Sequence, residues 1–300
     1  MTMNRQTLRK ALEVDLRQYL MFQLKQVPET WTQVFRTDST NRASFDDVTA
    51  AGVGPLSEIG EHGGLPYEDG AEGYTTTYAP IKYGKGVRFS EEMILQDQNR
   101  AVRRQMDGLK RSLIHTREST HWSIFNLGFN SSYAGGDGKE LFATDHPLIK
   151  GGTQANELST AANLSQTSLE QAMIDLMTTL TDEGMQAMLR PKRLIVPPAL
   201  WATADRLGMS AQEPDTANNA INPVKGAGFF SQAPLIVPYL TSTKAWYVLC
   251  DDAELWHIDG MKPKFGSEND FDTDDFRYKL KAMWTSGWTA PWGLFASPGV

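Results

Sequence analysis

One cysteine, five histidines and no long apolar run narrow the chemistry open to this 300-residue chain. Cys250 stands alone, so an internal disulfide and a CxxC redox or zinc pair are both excluded. Inside "AWYVLCDD" it reads as a small buried core residue, and the chain fits a reducing compartment. No stretch reaches the ~20 apolar residues that a membrane helix needs. The opening "MTMNRQTLRKALEVDLRQYL" is too charged for a signal peptide, so the expectation is a protein made and kept in a cytoplasm, away from membranes. An excess of positive charge is missing too. With 29 Lys and Arg against 36 Asp and Glu, the net charge is -7. That argues against a sequence-independent nucleic-acid binder, which neutralises phosphates with basic side chains.

Signatures of catalysis are also missing. His115 and His121 are six apart on a helical segment, whereas helical zinc ligands are spaced three or four apart. His146 follows Asp145 in "DHP" and offers at most a lone acid–histidine contact; His62 and His257 are isolated. There is no GxSxG elbow and no GxGxxG. In "GGDGKE", Glu140 follows Lys139 where a phosphate loop needs Ser or Thr. The acid run "ENDFDTDD" (residues 268–275) lacks the glycine and distal glutamate of a calcium loop and reads as a solvated loop. Trp284, Trp288 and Trp292 could stack bases or sugars, but alternation makes the first two a packed strand face. No catalytic residue, metal site or cofactor is expected.

What is present is an unusual order of elements. Leu8, Leu12, Leu16, Leu20 and Leu24 give an amphipathic helical pattern closed by Pro28, followed by a stretch with few apolar anchors that reads as an arm. From Gly52 to Gly86, glycines punctuate a segment poor in aliphatics. "YTTTYAPIKYGKGVRF" then predicts an extended hairpin with Tyr74, Thr76 and Tyr78 on one face. Such a long excursion with little core marks a binding loop.

Ser90 offers an N-cap with Glu91 and Glu92 behind it. Apolar positions from Met93 to Leu127 keep a helical period, predicting one helix of about 36 residues and about 54 Å. A 300-residue globule is only about 50 Å across, so the molecule should be flat or elongated. A helix over 168–181 follows, with Thr167 and Glu170 as its capping box. Strands are expected at "RLIVPP", "APLIVPYL", "AWYVLCD" and "ELWHIDG", with a short helix at "PALWATADRL". The clearest strand comes last. Phe276, Tyr278, Leu280, Ala282, Trp284 and Trp288 alternate with Arg277, Lys279 and Lys281, and the strand should run beside the long helix.

In this order the local wording resembles a known family. "FSEEM" (89–93), "LFATDHPLIKGG" (141–152), "LSQTSLEQA" (164–172), "LIVPPAL" (194–200), "NNAINP" (218–223) and "PLIVPYLTSTKAWYV" (234–248) are similar to major capsid proteins of tailed bacteriophages. These have the Hong Kong 97-type fold, and the likeness includes the group akin to the Mu major head subunit. The resemblance implies an α+β fold in four parts. Residues 1–51 would be an N-arm and 52–89 an E-loop laid across a neighbour. Residues 90–159 and 262–300 would form the peripheral domain with its spine helix, and 160–261 the axial domain.

Contacts between subunits would fall on Tyr67, Tyr74, Tyr78, Lys82 and Lys85, and the axial tip on Asn218, Asn219 and Asn222. The implied partners are further copies in hexamers and pentamers, a portal protein, a separate scaffolding protein, a decoration protein, and packaged double-stranded DNA held without sequence-specific contacts. An acidic subunit would repel that DNA weakly and let it slide. Some relatives crosslink through an E-loop lysine, but nothing marks a partner site for Lys82 or Lys85, so no such chemistry is assigned. The alternatives are an encapsulin-like nanocompartment, which shares the fold, and an intracellular hydrolase, which would have to explain the missing motifs.

Overall fold

The computed structural model describes residues 29–300 except 51, 61–62, 68, 91, 94–98, 213–220 and 270–274. The leucine pattern between Leu8 and Leu24 lies outside these residues. A 3-10 turn (Trp31–Gln33) leads into β1 (Arg36–Ser39), β2 (Phe45–Ala50), β3 (Glu72–Tyr78) and β4 (Ile81–Phe89), then the long helix α1 (Asn99–Asn126). A short ribbon, β5 (His146–Pro147) with β6 (Thr153–Gln154), precedes α2 (Gln166–Thr178), β7 (Pro191–Val196) and α3 (Trp201–Met209). The chain closes through α4 (Pro223–Gly226), β8 (Leu235–Ile236), β9 (Trp246–Cys250), β10 (Leu255–Asn269), β11 (Phe276–Trp288) and β12 (Leu294–Ser297).

Strand β11 behaves as its alternation predicts. Tyr278, Leu280, Ala282, Trp284 and Trp288 are buried while Arg277 and Lys279 are exposed. The buried set packs on Val102, Met106, Leu109 and Leu113 of α1, together with Phe89. Helix α1 has 28 described residues, about 42 Å at 1.5 Å per residue, matched to the 13-residue β11 at its side. Ser90 Oγ accepts from the Met93 N–H at 3.4 Å. The helix stops where Gly128 passes under Phe142, whose ring would lie 2.7 Å from any added Cβ.

Two four-stranded sheets organise the rest. The first runs β1-β10-β11-β4, with β1 parallel to β10 and the other pairs antiparallel. The second runs β12-β9-β7-β8, with β9 and β12 buried along their whole length. That sheet packs on α2 and α3 through Leu169, Met173, Leu176, Leu194, Val196, Ala204 and Phe295. Cys250 lies in this core, free and 2% exposed, and burial pushes its thiol up to about 12. A third cluster, Trp31, Phe35, Trp122, Phe125, Phe142, Tyr247 and Trp288 among others, joins the two sheets.

Four expectations need correction. The hairpin expected from "YTTTYAPIKYGKGVRF" does not form: β3 pairs with β2, while β4 pairs with β11. Ala79 and Pro80 separate the two strands, and a proline has no N–H to continue a ladder. The stretch before it, read as poor in anchors, roots itself in its own chain through Trp31, Val34 and Phe35, all under 9% exposed. Helix α2 is capped by Ser165 and Ser168 in a reciprocal box, not by Thr167 and Glu170. The strand at "ELWHIDG" continues to Asn269 as the long antiparallel partner of β11, crossing the boundary expected at 261.

Candidate functional site

The β2–β3 hairpin carries a long tip, and that tip is where apolar side chains lack cover. Val53 is 63% exposed, Leu56 101%, Leu65 66% and Tyr67 93%. A soluble monomer rarely leaves a run of large apolar groups in water unless another surface covers it. Residues 52–71 also carry Glu58, Glu61, Glu68 and Asp69 with no lysine or arginine. The hairpin base is fixed instead. Thr49 Oγ1 accepts from the Tyr74 N–H at 2.8 Å, and Asp47 accepts from the Thr289 hydroxyl at 2.6 Å.

The expected contact residues divide accordingly. Tyr67 sits on the exposed tip and Tyr74 is half-buried in β3. Tyr78 is a correction: it is 3% exposed, its hydroxyl lies 2.8 Å from Thr289 Oγ1, and its ring belongs to this chain's own core. Burial raises its hydroxyl pKa far above the ordinary value. Lys82 and Lys85 are both exposed, but strand register sends them to opposite faces. Lys85 pairs with the buried Leu280 on the α1 side, beside a groove of about 240 Å³ lined by Tyr83, Leu109, Leu113 and Trp284. Lys82 pairs with Met283 on the far side.

That far side is strongly basic. Arg277, Lys279 and Lys281 follow one another along β11, with Arg88 opposite Arg277 on β4 and Lys264 opposite Lys281 on β10. Strands β4 and β11 contain no carboxylate at all. Opposite Lys279 stand Gly86 and Gly266, and opposite Lys281 stands Gly84, so the stripe is flat. Among the described residues, acids meet it at one end, where Asp275 lies 3.4 Å from Arg88 and Glu268 pairs in register with Arg277.

The histidines had looked isolated, yet two of them meet. His121 on α1 and His257 on β10 are 0% and 1% exposed, with Nε2 of the first 2.9 Å from Nδ1 of the second. The other ring nitrogens face the Arg117 carbonyl at 2.6 Å and Asp259 Oδ1 at 3.1 Å. Trp31 stacks on His121 at 4.3 Å, and Thr30 donates from both its N–H and its hydroxyl to Glu118. His146 pairs with Asp137 at 2.6 Å, not with its neighbour Asp145, which takes Lys139 instead.

At the other end of the chain Asn222, expected at an exposed tip, is 0% exposed. Its Oδ1 caps α4 by accepting from Val224 N–H at 3.0 Å, and its amide donates to the Leu207 and Ser210 carbonyls at 2.8 and 3.0 Å. Its side chain therefore holds α3 to α4 and is unavailable to a neighbour. Asn218 and Asn219 lie outside the described residues. Among the described residues no group of three or more His, Cys, Asp or Glu is placed to hold a metal, and no helix is long and apolar enough to cross a membrane.

Comparison with known proteins identifies the fold and the family. The chain superposes on the procapsid subunit of bacteriophage JBD30 with a TM-score of 0.55 and 16% identity, over 97% of this chain and 74% of that one. It matches a virus-like particle from Pyrococcus furiosus with a TM-score of 0.55 and 12% identity, over 94% and 97% of the two chains. The capsid of cyanophage P-SCSP1u gives a TM-score of 0.55 and 11% identity, over 89% and 86%. No curated protein sequence matches significantly. The model of the phage capsid protein family matches residues 73–297, three quarters of the chain, and so this protein belongs to the phage capsid protein family, a structural subunit of Hong Kong 97-type fold and not an enzyme.

Proposed function

We propose that the chain assembles as hexamers and pentamers into the icosahedral shell around a tailed phage's double-stranded DNA, each subunit laying residues 52–71 across the peripheral domain of its neighbour. The observation that carries this reading is the tip itself. It is apolar, acidic and uncovered, on a hairpin whose base is rigidly tied. The basic stripe of β11 supplies the complement: it is flat and cationic, with the apolar Met283 following on the same face. Burying the tip offsets the entropy of ordering a glycine-rich loop, and opposite charges steer the encounter.

On this reading the stripe is covered by a neighbouring loop and not by DNA, which leaves the genome free to slide. Residues 52–78 act as the E-loop, β4, α1, β10 and β11 as the peripheral domain, and the α2–β9 region as the axial domain. The JBD30 capsid is decorated with minor capsid protein trimers, and a decoration protein of that kind fits here. A portal protein and a separate scaffolding protein complete the partners, with assembly in the host bacterial cytoplasm.

The test is electron microscopy of the expressed chain, with and without its neighbouring genes, after size-exclusion chromatography. Closed icosahedral particles, or capsomers that close when scaffold is added, are expected. A monodisperse monomer or dimer under every condition overturns the reading. Particles filled with a cargo protein and free of DNA when purified from infected cells would point to a nanocompartment.

A further inference from the structure

We infer that His121 and His257 share one excess proton, and that this proton latches residues 29–35 onto α1. The inference does not rest on the shell reading. It follows from counting hydrogens along a chain of four ring nitrogens. His121 Nδ1 faces a backbone carbonyl at 2.6 Å, so it must donate. His257 Nε2 faces Asp259 Oδ1 at 3.1 Å. Burial works against ionising Asp259, but the hydrogen bond from His257 and the charges of His257, Arg117 and Lys262 hold its carboxyl below the usual range. His257 Nε2 therefore donates too.

With those two hydrogens placed and both rings neutral, the facing nitrogens, His121 Nε2 and His257 Nδ1, would point bare lone pairs at each other across 2.9 Å. Only a third hydrogen between them makes the contact favourable. Burial, partly offset by the bond to the Arg117 carbonyl, lowers the His121 imidazole to about 3, so it is the geometry of the facing nitrogens that calls for the third hydrogen and its charge.

The surroundings balance that charge. From α1 come Arg117 and Glu118, from β10 Asp259, with Lys262 acting at longer range, and from the segment before β1 comes Glu29. On β1, Thr37 lies beside His257 in register, and its charged neighbours Arg36 and Asp38 are exposed. Strand β11 brings Ser286 and Trp284, neither of them titratable in this range. Three carboxylates thus stand against one guanidinium in the immediate shell, and the shared proton supplies a second positive charge.

The consequence falls on Trp31, which stacks on His121 at 4.3 Å and meets His257 at a tilt at 4.4 Å. Its flanks are tied to the same cluster, Glu29 to Arg117 at 3.5 Å and Thr30 to Glu118. When pH rises and the third hydrogen leaves, the two rings repel and the surface under Trp31 moves. The sign is that of a group protonated in the folded state: the latch is closed on the acid side and opens as pH increases. Residues 29–35 carry the anchors Trp31, Val34 and Phe35, so the latch sets how firmly this segment is held to α1.

Amide exchange of residues 29–36 in the full-length chain, read by mass spectrometry from about pH 6 to about pH 9 and corrected for intrinsic exchange, tests this. Loss of a charged hydrogen bond predicts about tenfold or greater loss of protection over that range. His257→Asn places an amide donor near the Nδ1 position without titrating, and its protection should stay level with pH. A flat wild-type profile overturns the inference, as does a His257→Asn variant that keeps the wild-type pH dependence. Should that variant fail to fold, the wild-type profile decides alone, with β9 amides as reference; parallel loss in β9 would mean global unfolding and no latch.

Discussion

Strand β11 and the tip of the β2–β3 hairpin both carry large apolar side chains, yet one set is buried to a few per cent and the other stands in water. The difference lies in period and neighbours. In β11 the apolar groups recur every second residue and meet the α1 row from Val102 to Leu113, so one face finds its cover within the chain. In residues 52–71 they are spaced by glycine and proline with no period, and no single face can gather them. Periodic apolar residues report a core, whereas aperiodic ones on a tied hairpin find no cover within the described residues of their own chain, which is why the proposed function assigns them a partner.

The sharpest way to break that contrast is to remove a side chain from each set. Trp284 is 1% exposed, stacks on Tyr83 at 4.1 Å and lies under the Arg117 guanidinium at 5.4 Å. Trp284→Ala should cost about 3–5 kcal/mol in denaturant unfolding of the unassembled chain, and shells should be lost because the subunit is lost. Leu56→Asp should change that unfolding by less than about 0.5 kcal/mol, yet still abolish closed particles in micrographs. If Leu56→Asp destabilised the free subunit as Trp284→Ala does, the tip would belong to this chain's own core.

A smaller effect is expected from charge. Reversing Lys279 and Lys281 to Glu should leave the subunit folded, because both point away from α1, but should lower the particle yield. Adding Glu58→Lys and Asp69→Lys to the same chain should restore it, and raising the salt should weaken the wild-type contact within a Debye length of about 10 Å at 0.1 M. Rescue failing in a well-folded quadruple variant would separate the loop from the stripe.

Much of this arrangement was legible in the residues. The β11 alternation and the α1 period from Val102 to Leu113 depend on local spacing, and each appears where spacing puts it. What was not legible depends on pairing at a distance. β3 and β4 look like one hairpin because nothing local says that β2 and β11 will compete for them; Pro80 was the sole hint of a break. His121 and His257 are 136 residues apart in sequence, so no motif spacing could join them. Asn222 sits in a run of turn residues and looked exposed, yet its amide meets two carbonyls left open at the end of α3. Turn chemistry locates a loop without telling which side chains the loop turns inward.

The smallest expected effect probes a carboxylate beyond both regions. Glu157 forms a parallel bridge with Ala296 at the edge of the second sheet. Burial, with a lesser push from Glu140, raises its carboxyl to about 7 from 4.5. A carboxyl with a raised folded value binds its proton more tightly in the native state than in the unfolded chain. Its contribution is therefore complete below about 4.5 and is lost as pH climbs through about 7. Glu157→Gln keeps the shape and removes the titration. The variant should match wild type near pH 4.5 and unfold at a slightly higher temperature at pH 8, with the gap opening between those values. A gap that is constant with pH would mean that Glu157 acts through packing alone and that its ionisation costs the fold nothing.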